Sequence, residues 1–462
     1  MIDNEQLQAW HEDDQHQFIV DAILAIDEAE RTLELTGWLA RAFNNLGQYE
    51  QALELLFLFP DAERDAVWHY RAGYAYANLA QYEQAVQAFA EANELQPGDE
   101  DIEDFLDYVR GKLERQEQNK QLSAAARARL LERQQASNGA AEQPFAHVDL
   151  SSFWEKSDYA DKEYVLPYPT DDVIAAVEKE LGYKLPQSYI QLMRMQNGGI
   201  PVNTCFPTEL PTSWAEDHIA ITGIMGIGSS KSCSLAGDSG SRFMIEEWGY
   251  PDIGVVICDC PSAGHDVVML DYRACGPDGE PEVIHVDQES DYEITFLAPN
   301  FESFIQGLVH PDTYDTSEAD KAAALERVAN GAFSPLLEQL CEQATEVSQI
   351  ESKIREICRQ IVEEKGYFAL HADERSTLMY DVQFWLYTRA NADVTRQGYL
   401  DDYSKMIAFG GEFSTGGYAP AFISDWLDQR MKAGDIVYNG AGTGIHFTAE
   451  AVARLLDRLD NY

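Results

Sequence analysis

Residues 254–305 read GVVICDCPSAGHDVVMLDYRACGPDGEPEVIHVDQESDYEITFLAPNFESFI, and the fold turns on how that stretch is parsed. The runs 255–258, 267–272 and 283–286 are β-branched and apolar, each bounded by Gly, Pro or Asp; short strands separated by turns have that pattern. The second and third runs face each other across residues 273–281, so a hairpin is expected. Alternate residues of a strand share a face. That sets Val267, Met269 and Asp271 together on one strand and Val283, His285 and Asp287 together on the other, with the polar ends of both sets expected to converge.

Two uses suit such a cluster. His265, Asp266, Asp271, His285, Asp287 and Glu289 supply nitrogen and oxygen donors for zinc, iron or manganese, and a metal-dependent enzyme would draw on His265, Asp271, His285 and Asp287. No HExxH, no HxH and no paired-helix carboxylates accompany them, and a one-residue slip in register would reverse the faces. The preferred reading is a partner-binding edge formed by Asp271, His285, Asp287, Glu289 and Asp291, with no catalytic residue and no cofactor. Asp287, Glu289, Asp291 and Glu293 alternate along the chain. Such a row could meet a basic partner or act as a solvated edge that deters strand pairing.

Charge narrows the partners. With 33 Lys and Arg against 80 Asp and Glu, the net charge is −47, which repels phosphate backbones and anionic membranes. Nucleic acid and membrane are therefore disfavoured, and a basic protein is favoured. The seven cysteines are odd in number and lack CxxC spacing, as free thiols in a reducing cytosol would be. Cys258 and Cys260 form C-x-C, which on a strand places both sulfurs on one face. No signal segment opens the sequence and no apolar run is long enough to span a membrane, so a soluble, cytoplasmic protein is expected.

The N-terminal third contains a self-similarity. Residues 42–52, AFNNLGQYEQA, recur at 75–85 as AYANLAQYEQA, an offset of 33. With Gly73, Tyr76, Ala80, Tyr82, Ala85, Phe89, Ala92 and Pro97 in the second copy and Phe43, Gly47, Tyr49 and Ala52 in the first, this resembles the tetratricopeptide repeat, although Ala40 replaces its usual glycine. The resemblance implies helical hairpins that bind peptides or partner proteins. Phe18, Ile19, Ile23 and Leu24 are expected to form a preceding helix, and Ile102, Phe105, Leu106 and Val109 a capping one. Residues 114–144, rich in Gln, Arg, Ala and Glu with few large apolar side chains, read as a helical or flexible linker.

In the central third, Thr170-Asp171-Asp172 is a helix start, with Val173, Ile174, Val177 and Leu181 following at helical spacing. A second helix opens at Pro186 and stops at Asn197-Gly198-Gly199. The order Leu181-Gly182-Tyr183-Lys184-Leu185-Pro186, Tyr189, Asn197-Gly198-Gly199, Gly223-Ile224-Met225-Gly226-Ile227-Gly228 and the later hairpin is similar to the SUKH superfamily, which includes the Smi/Knr-type cell-wall assembly regulators. The likeness covers residues 153–310. It implies an α+β domain with a mixed sheet backed by helices, acting as a binding module. Many bacterial relatives resemble immunity proteins that neutralise secreted or contact-delivered toxins by sitting on them.

The last third reads as mainly helical. Ile350, Ile354, Ile357, Cys358 and Ile361 form one helical face, and Leu378, Val382, Phe384, Trp385 and Leu386 another. Residues 410–417 read as a helix-entry loop leading to Pro420. Strands at 436–438 and 445–447 and a helix capped by Thr448 complete a helix, hairpin, helix order that resembles a winged-helix end without the basic recognition helix DNA requires. The expected organisation is tetratricopeptide-like helices over 1–113, the linker over 114–144, the SUKH-like domain over 145–310, a connector over 311–330 and a mainly helical domain over 331–462. The expected function is an immunity-type protein that occludes a toxin. A regulatory scaffold without a toxin is the alternative.

Overall fold

A computed structural model describes residues 3–136, 143–406, 409, 419–440 and 442–462. The expected loop at 410–417 lies outside the described residues. Contacts divide the chain into two units, Met1–Pro311 and Asp312–Tyr462. No described helix is long and apolar enough to cross a membrane.

The first unit begins with paired helices: α1 (Asn4–Glu12) and α2 (His16–Leu24), α3 (Leu33–Asn45) and α4 (Tyr49–Leu56), α5 (Ala66–Asn78) and α6 (Tyr82–Leu95). The 33-residue offset is visible in the backbone. Gly47 and Ala80 both adopt left-handed φ, +73° and +54°, at the turn of their hairpins. Close approach explains the small residues: a Cβ on Gly73 would sit 2.8 Å from the Phe89 ring. Of the expected preceding helix, Ile19 and Ile23 are buried while Phe18 and Leu24 are exposed. Phe105 stacks on Phe89 at 5.5 Å, and Ile102, Leu106 and Val109 are buried, closing the array.

The closing helix does not stop there. α7 runs unbroken from Glu100 to Ala136, through most of the expected linker, and it is packed rather than flexible. Residues 112–127 of this helix lie on the central domain by a polar stripe, which a search for apolar positions overlooks.

The central domain holds α8 (Asp158–Glu163), α9 (Asp171–Leu181) and α10 (Gln187–Met195). The Thr170 hydroxyl accepts from the Val173 N–H, as an N-cap should. Asn197 is buried and clamps two loops: its amide donates to the Pro167 and Ile227 carbonyls and accepts the Ile227 N–H. Then follow β1 (Cys205–Pro207), β2 (His218–Ala220), β3 (Gly223–Ile224), α11 (Ser241–Glu246), β4 (Gly254–Asp259), β5 (Asp266–Asp271), β6 (Glu282–Asp287), β7 (Glu293–Ala298) and α12 (Phe301–Gly307). β1 pairs with β2, and β3 to β7 form a five-stranded sheet in sequence order. Every pair in that sheet is antiparallel, where the family resemblance implied a mixed one. Helices and sheet share a single core including Tyr189, Leu192, Val256, Val268, Phe301 and Phe304.

The second unit contains α13 (Ser317–Asn330), α14 (Pro335–Gln343), α15 (Ile350–Lys365), α16 (Glu374–Ala390), α17 (Arg396–Tyr403), α18 (Ala419–Ala433), the hairpin β8 (Ile436–Tyr438) and β9 (Ile445–Phe447), and α19 (Ala449–Leu459). Most of the expected connector is α13, whose Ala324 and Val328 join this unit's core. α16 is buried from Leu378 to Thr388. Its one carboxylate there, Asp381, is answered by Arg430 at 2.6 Å and the Trp426 indole N–H at 3.1 Å.

Candidate functional site

The hairpin forms where expected, but its register separates the residues expected to converge. Asp266 lies opposite Asp287, Val268 opposite His285 and Asp271 opposite Glu282. Directly opposed residues of an antiparallel pair share a face, so His285 and Asp287 belong with Asp266, and Asp271 belongs to the other side. The turn at 273–281 pairs odd positions of β5 with even positions of β6. The shared face of Asp271, His285 and Asp287 is thereby excluded, along with the four-residue metal set that needed it.

On the inner face, His285 is fully buried and Asp266 and Asp287 nearly so, at 2% exposure each, so none can form a docking edge. His285 Nε2 is hydrogen-bonded to Asp266 Oδ2 at 2.7 Å. Asp287 accepts from the Ser213 N–H at 2.9 Å and the Ser290 hydroxyl at 3.1 Å. Burial opposes its ionisation, but these donors and the neighbouring His285 hold the Asp287 carboxyl below its ordinary pKa. His265 and Glu289 form an outer pair at 2.8 Å. Both edge a cavity of about 370 Å³ with Ser213, Trp214, Ser262 and Asp266.

On the other side, α7 covers the exposed edge of β7. Asn119 imitates a neighbouring strand, donating to the Ile294 carbonyl and accepting the Phe296 N–H, each at 2.7 Å. Arg115 pairs with Glu293 at 2.9 Å and donates to Thr295 Oγ1 at 2.6 Å. Lys112 donates to the Ser290 carbonyl at 2.9 Å, while Arg127 and the Ser123 hydroxyl reach Glu282. Glu293, the last of the alternating acids, thus meets cations of its own chain, and so does Glu282. Sequence reasoning missed these residues, although positions 112, 115, 116, 119, 120, 123, 124 and 127 recur at helical spacing.

Between α7 and the sheet lies a cavity of about 600 Å³, continued by another of about 690 Å³ against α5 and the start of α7. Asp271 and Asp291 line the first. So do Lys112, Arg115, Lys120, Arg127 and Arg273, five cations against the four acids Asp271, Glu282, Asp291 and Glu293. In a chain with 33 cations and 80 acids, this balance is local. Arg273 grips Asp271 through two nitrogens. Asp291 and Tyr292 line both cavities and hold consecutive left-handed φ of +59° and +53°, a costly conformation for side-chain-bearing residues. The Tyr108 hydroxyl, its pKa raised by burial and by Asp291, remains a donor to that carboxylate at 2.5 Å. Tyr292 donates to the Trp248 carbonyl at 2.6 Å. Among the described residues, no histidine or cysteine lines either cavity.

Comparison with known proteins agrees with this architecture. Residues 171–305 match the family model described as SMI1-KNR4 cell-wall, and residues 69–99 match that of the tetratricopeptide repeat. Both matched modules suggest interaction with another protein. No curated protein and no solved structure matches the chain.

Proposed function

We propose that the protein binds a basic protein partner and neutralises it by occlusion, in the manner of an immunity protein against a secreted or contact-delivered toxin, and that the groove between α7, α5 and the sheet takes up a segment of that partner. The single observation carrying this reading is the joint groove itself, built by a repeat array and a SUKH-like sheet and strained at Asp291 and Tyr292 where its two cavities meet. Local strain of that kind gathers at working surfaces. The net charge of −47 steers a cationic protein from a distance, while the balanced charges of the groove allow a mixed polar and apolar segment to settle without repulsion. The seven cysteines are all free, which favours action in the cytoplasm.

The test begins with capture of the partner from source cells on the full chain, followed by stopped-flow association. The on-rate should fall by about tenfold or more as ionic strength rises from 0.02 to 0.5 M, since steering is screened over the Debye length, about 10 Å at 0.1 M. Arg273→Glu should weaken binding at least tenfold and release the partner's activity. A partner that associates at the same rate in both salts, or ignores Arg273→Glu, refutes the reading.

A further inference from the structure

The inner face of the hairpin carries a cluster that the partner-binding reading leaves unused. Cys260 follows β4, Asp266 opens β5 and His285 stands in β6. All three are buried, and one potential ligand atom from each lies within 4.8 Å of the others. Hydrogen bonding accounts for only part of them. His285 Nε2 and Asp266 Oδ2 satisfy each other, but Asp266 Oδ1 and His285 Nδ1, both in buried side chains, have no hydrogen-bond partner. Buried polar atoms left this way are uncommon, and an ion is one of the things that resolves them.

We infer that Cys260, Asp266 and His285 form a binding site for a single divalent ion of the zinc class. Sulfur, nitrogen and oxygen together suit Zn²⁺, which is of borderline softness; a thiolate argues against magnesium or calcium. Charge supports the assignment: a thiolate and a carboxylate neutralise a dication, so the filled site places no net charge in the core. Burial, the charge of Asp266 and a hydrogen bond to that carboxylate all hold the Cys260 thiol protonated in the empty site, so binding the ion must break that hydrogen bond and release the thiol proton to solvent. Three protein ligands leave a tetrahedral ion one position. Of the three, Asp266 also lines the 370 Å³ cavity with Ser262 and Ser213, the side from which an ion and a water as fourth ligand would enter. Strand register sets Cys258, Asp266 and His285 on one face, and Cys260, two residues past Cys258, reaches the same cluster.

Purified full-length protein, stripped with a chelator and given Zn²⁺ alone, should retain one equivalent through dialysis. Given Co²⁺ alone, it should develop a near-ultraviolet thiolate-to-cobalt band. Cys260→Ser, with native far-ultraviolet circular dichroism, should lose that band and bind Zn²⁺ at least tenfold more weakly. His265→Ala, at the cavity rim, should keep both. Should Cys260→Ser fail to fold, a variant with the half-exposed Cys233, Cys275 and Cys341 all changed to Ser answers instead, since its band must persist. Absence of a band in the wild type, a band surviving in folded Cys260→Ser, loss of metal in His265→Ala, or loss of the band in the triple variant each overturns the site.

Discussion

Replacing Asn119 by Ala removes the side chain that closes the sheet edge. Its amide group makes two 2.7 Å hydrogen bonds with β7, one to the Ile294 carbonyl and one from the Phe296 N–H, and among the described residues no strand lies beyond β7. Alanine leaves both backbone groups unpaired in a half-buried junction. Each bond is worth about 1 kcal/mol net, and somewhat more where the stranded group cannot reach water, so the loss should be about 2–3 kcal/mol. The unit Met1–Pro311 unfolds with an entropy of about 0.65 kcal/mol/K at roughly 2.1 cal/mol/K per residue, which converts that loss into a fall in Tm of about 3–5 °C. Calorimetry reads the Tm, and amide exchange at Phe296 should accelerate with it. Lys120→Ala is the control: its ammonium pairs with Glu117 on the surface at 2.8 Å, worth about 0.3 kcal/mol. If Asn119→Ala stayed within about 0.5 kcal/mol of wild type with Phe296 exchange unchanged, α7 would not be the lid of this edge.

Three further outcomes are expected. Gly198→Ala should destabilise the first unit by about 3 kcal/mol in urea titration, because Gly198 holds φ +87° and a Cβ would sit 2.7 Å from the Tyr164 carbonyl and 2.8 Å from the Gly226 nitrogen; Gly182→Ala, at a φ of +82° with open space around it, should cost about 1 kcal/mol. Asp381→Ala should cost the second unit about 2 kcal/mol by leaving the Trp426 indole N–H unpaired and Arg430 with Asp435 alone, read from unfolding followed by tryptophan fluorescence. Burial works against ionisation of Asp373, but Lys365 and Ser376 bring its carboxyl from 3.8 down to about 2. A depressed carboxylate stabilises the fold fully above its unfolded pKa and loses that contribution as pH falls through the folded one. Stability of the second unit should therefore decline between about pH 4 and pH 2 more steeply in wild type than in Asp373→Asn, and equal slopes would remove the argument.

The parts of this fold that could be read from sequence are those written in local chemistry. Thr170 and Thr448 cap their helices because a hydroxyl next to free N–H groups acts within one turn. Strands 436–438 and 445–447 fall at the residues expected because Gly-rich turns bound short apolar runs. The candidate site was less legible, because it depends on register. Whether Asp271 or Asp266 shares a face with His285 turns on one residue of the 273–281 turn, and alternation within each strand leaves that parity open. β7 was hidden for a related reason: its acidic start, Glu293, closes a run of alternating acids that reads as solvated edge until Lys112 and Arg115 are placed beside it.

Net charge misleads in the same way. A total of −47 describes the field at a distance, but within a Debye length of about 8–10 Å only the nearest groups count. Three of the cations that matter, Lys112, Arg115 and Arg127, lie in the segment 112–127, where scarcity of apolar residues suggested a linker. Their helical spacing carries them along one face of α7, and that face meets Glu282 and Glu293. The residues expected to greet a basic partner are thus largely engaged: Asp271 by Arg273, Asp287 by Ser213 and Ser290, Asp291 by Tyr108. On the proposed function, steering and docking therefore belong to different parts of the surface. Neutralising Asp287 should leave the on-rate unchanged, because its charge is buried. Arg273→Glu should act mainly on the off-rate, because it alters the groove while changing the net charge of −47 by only two.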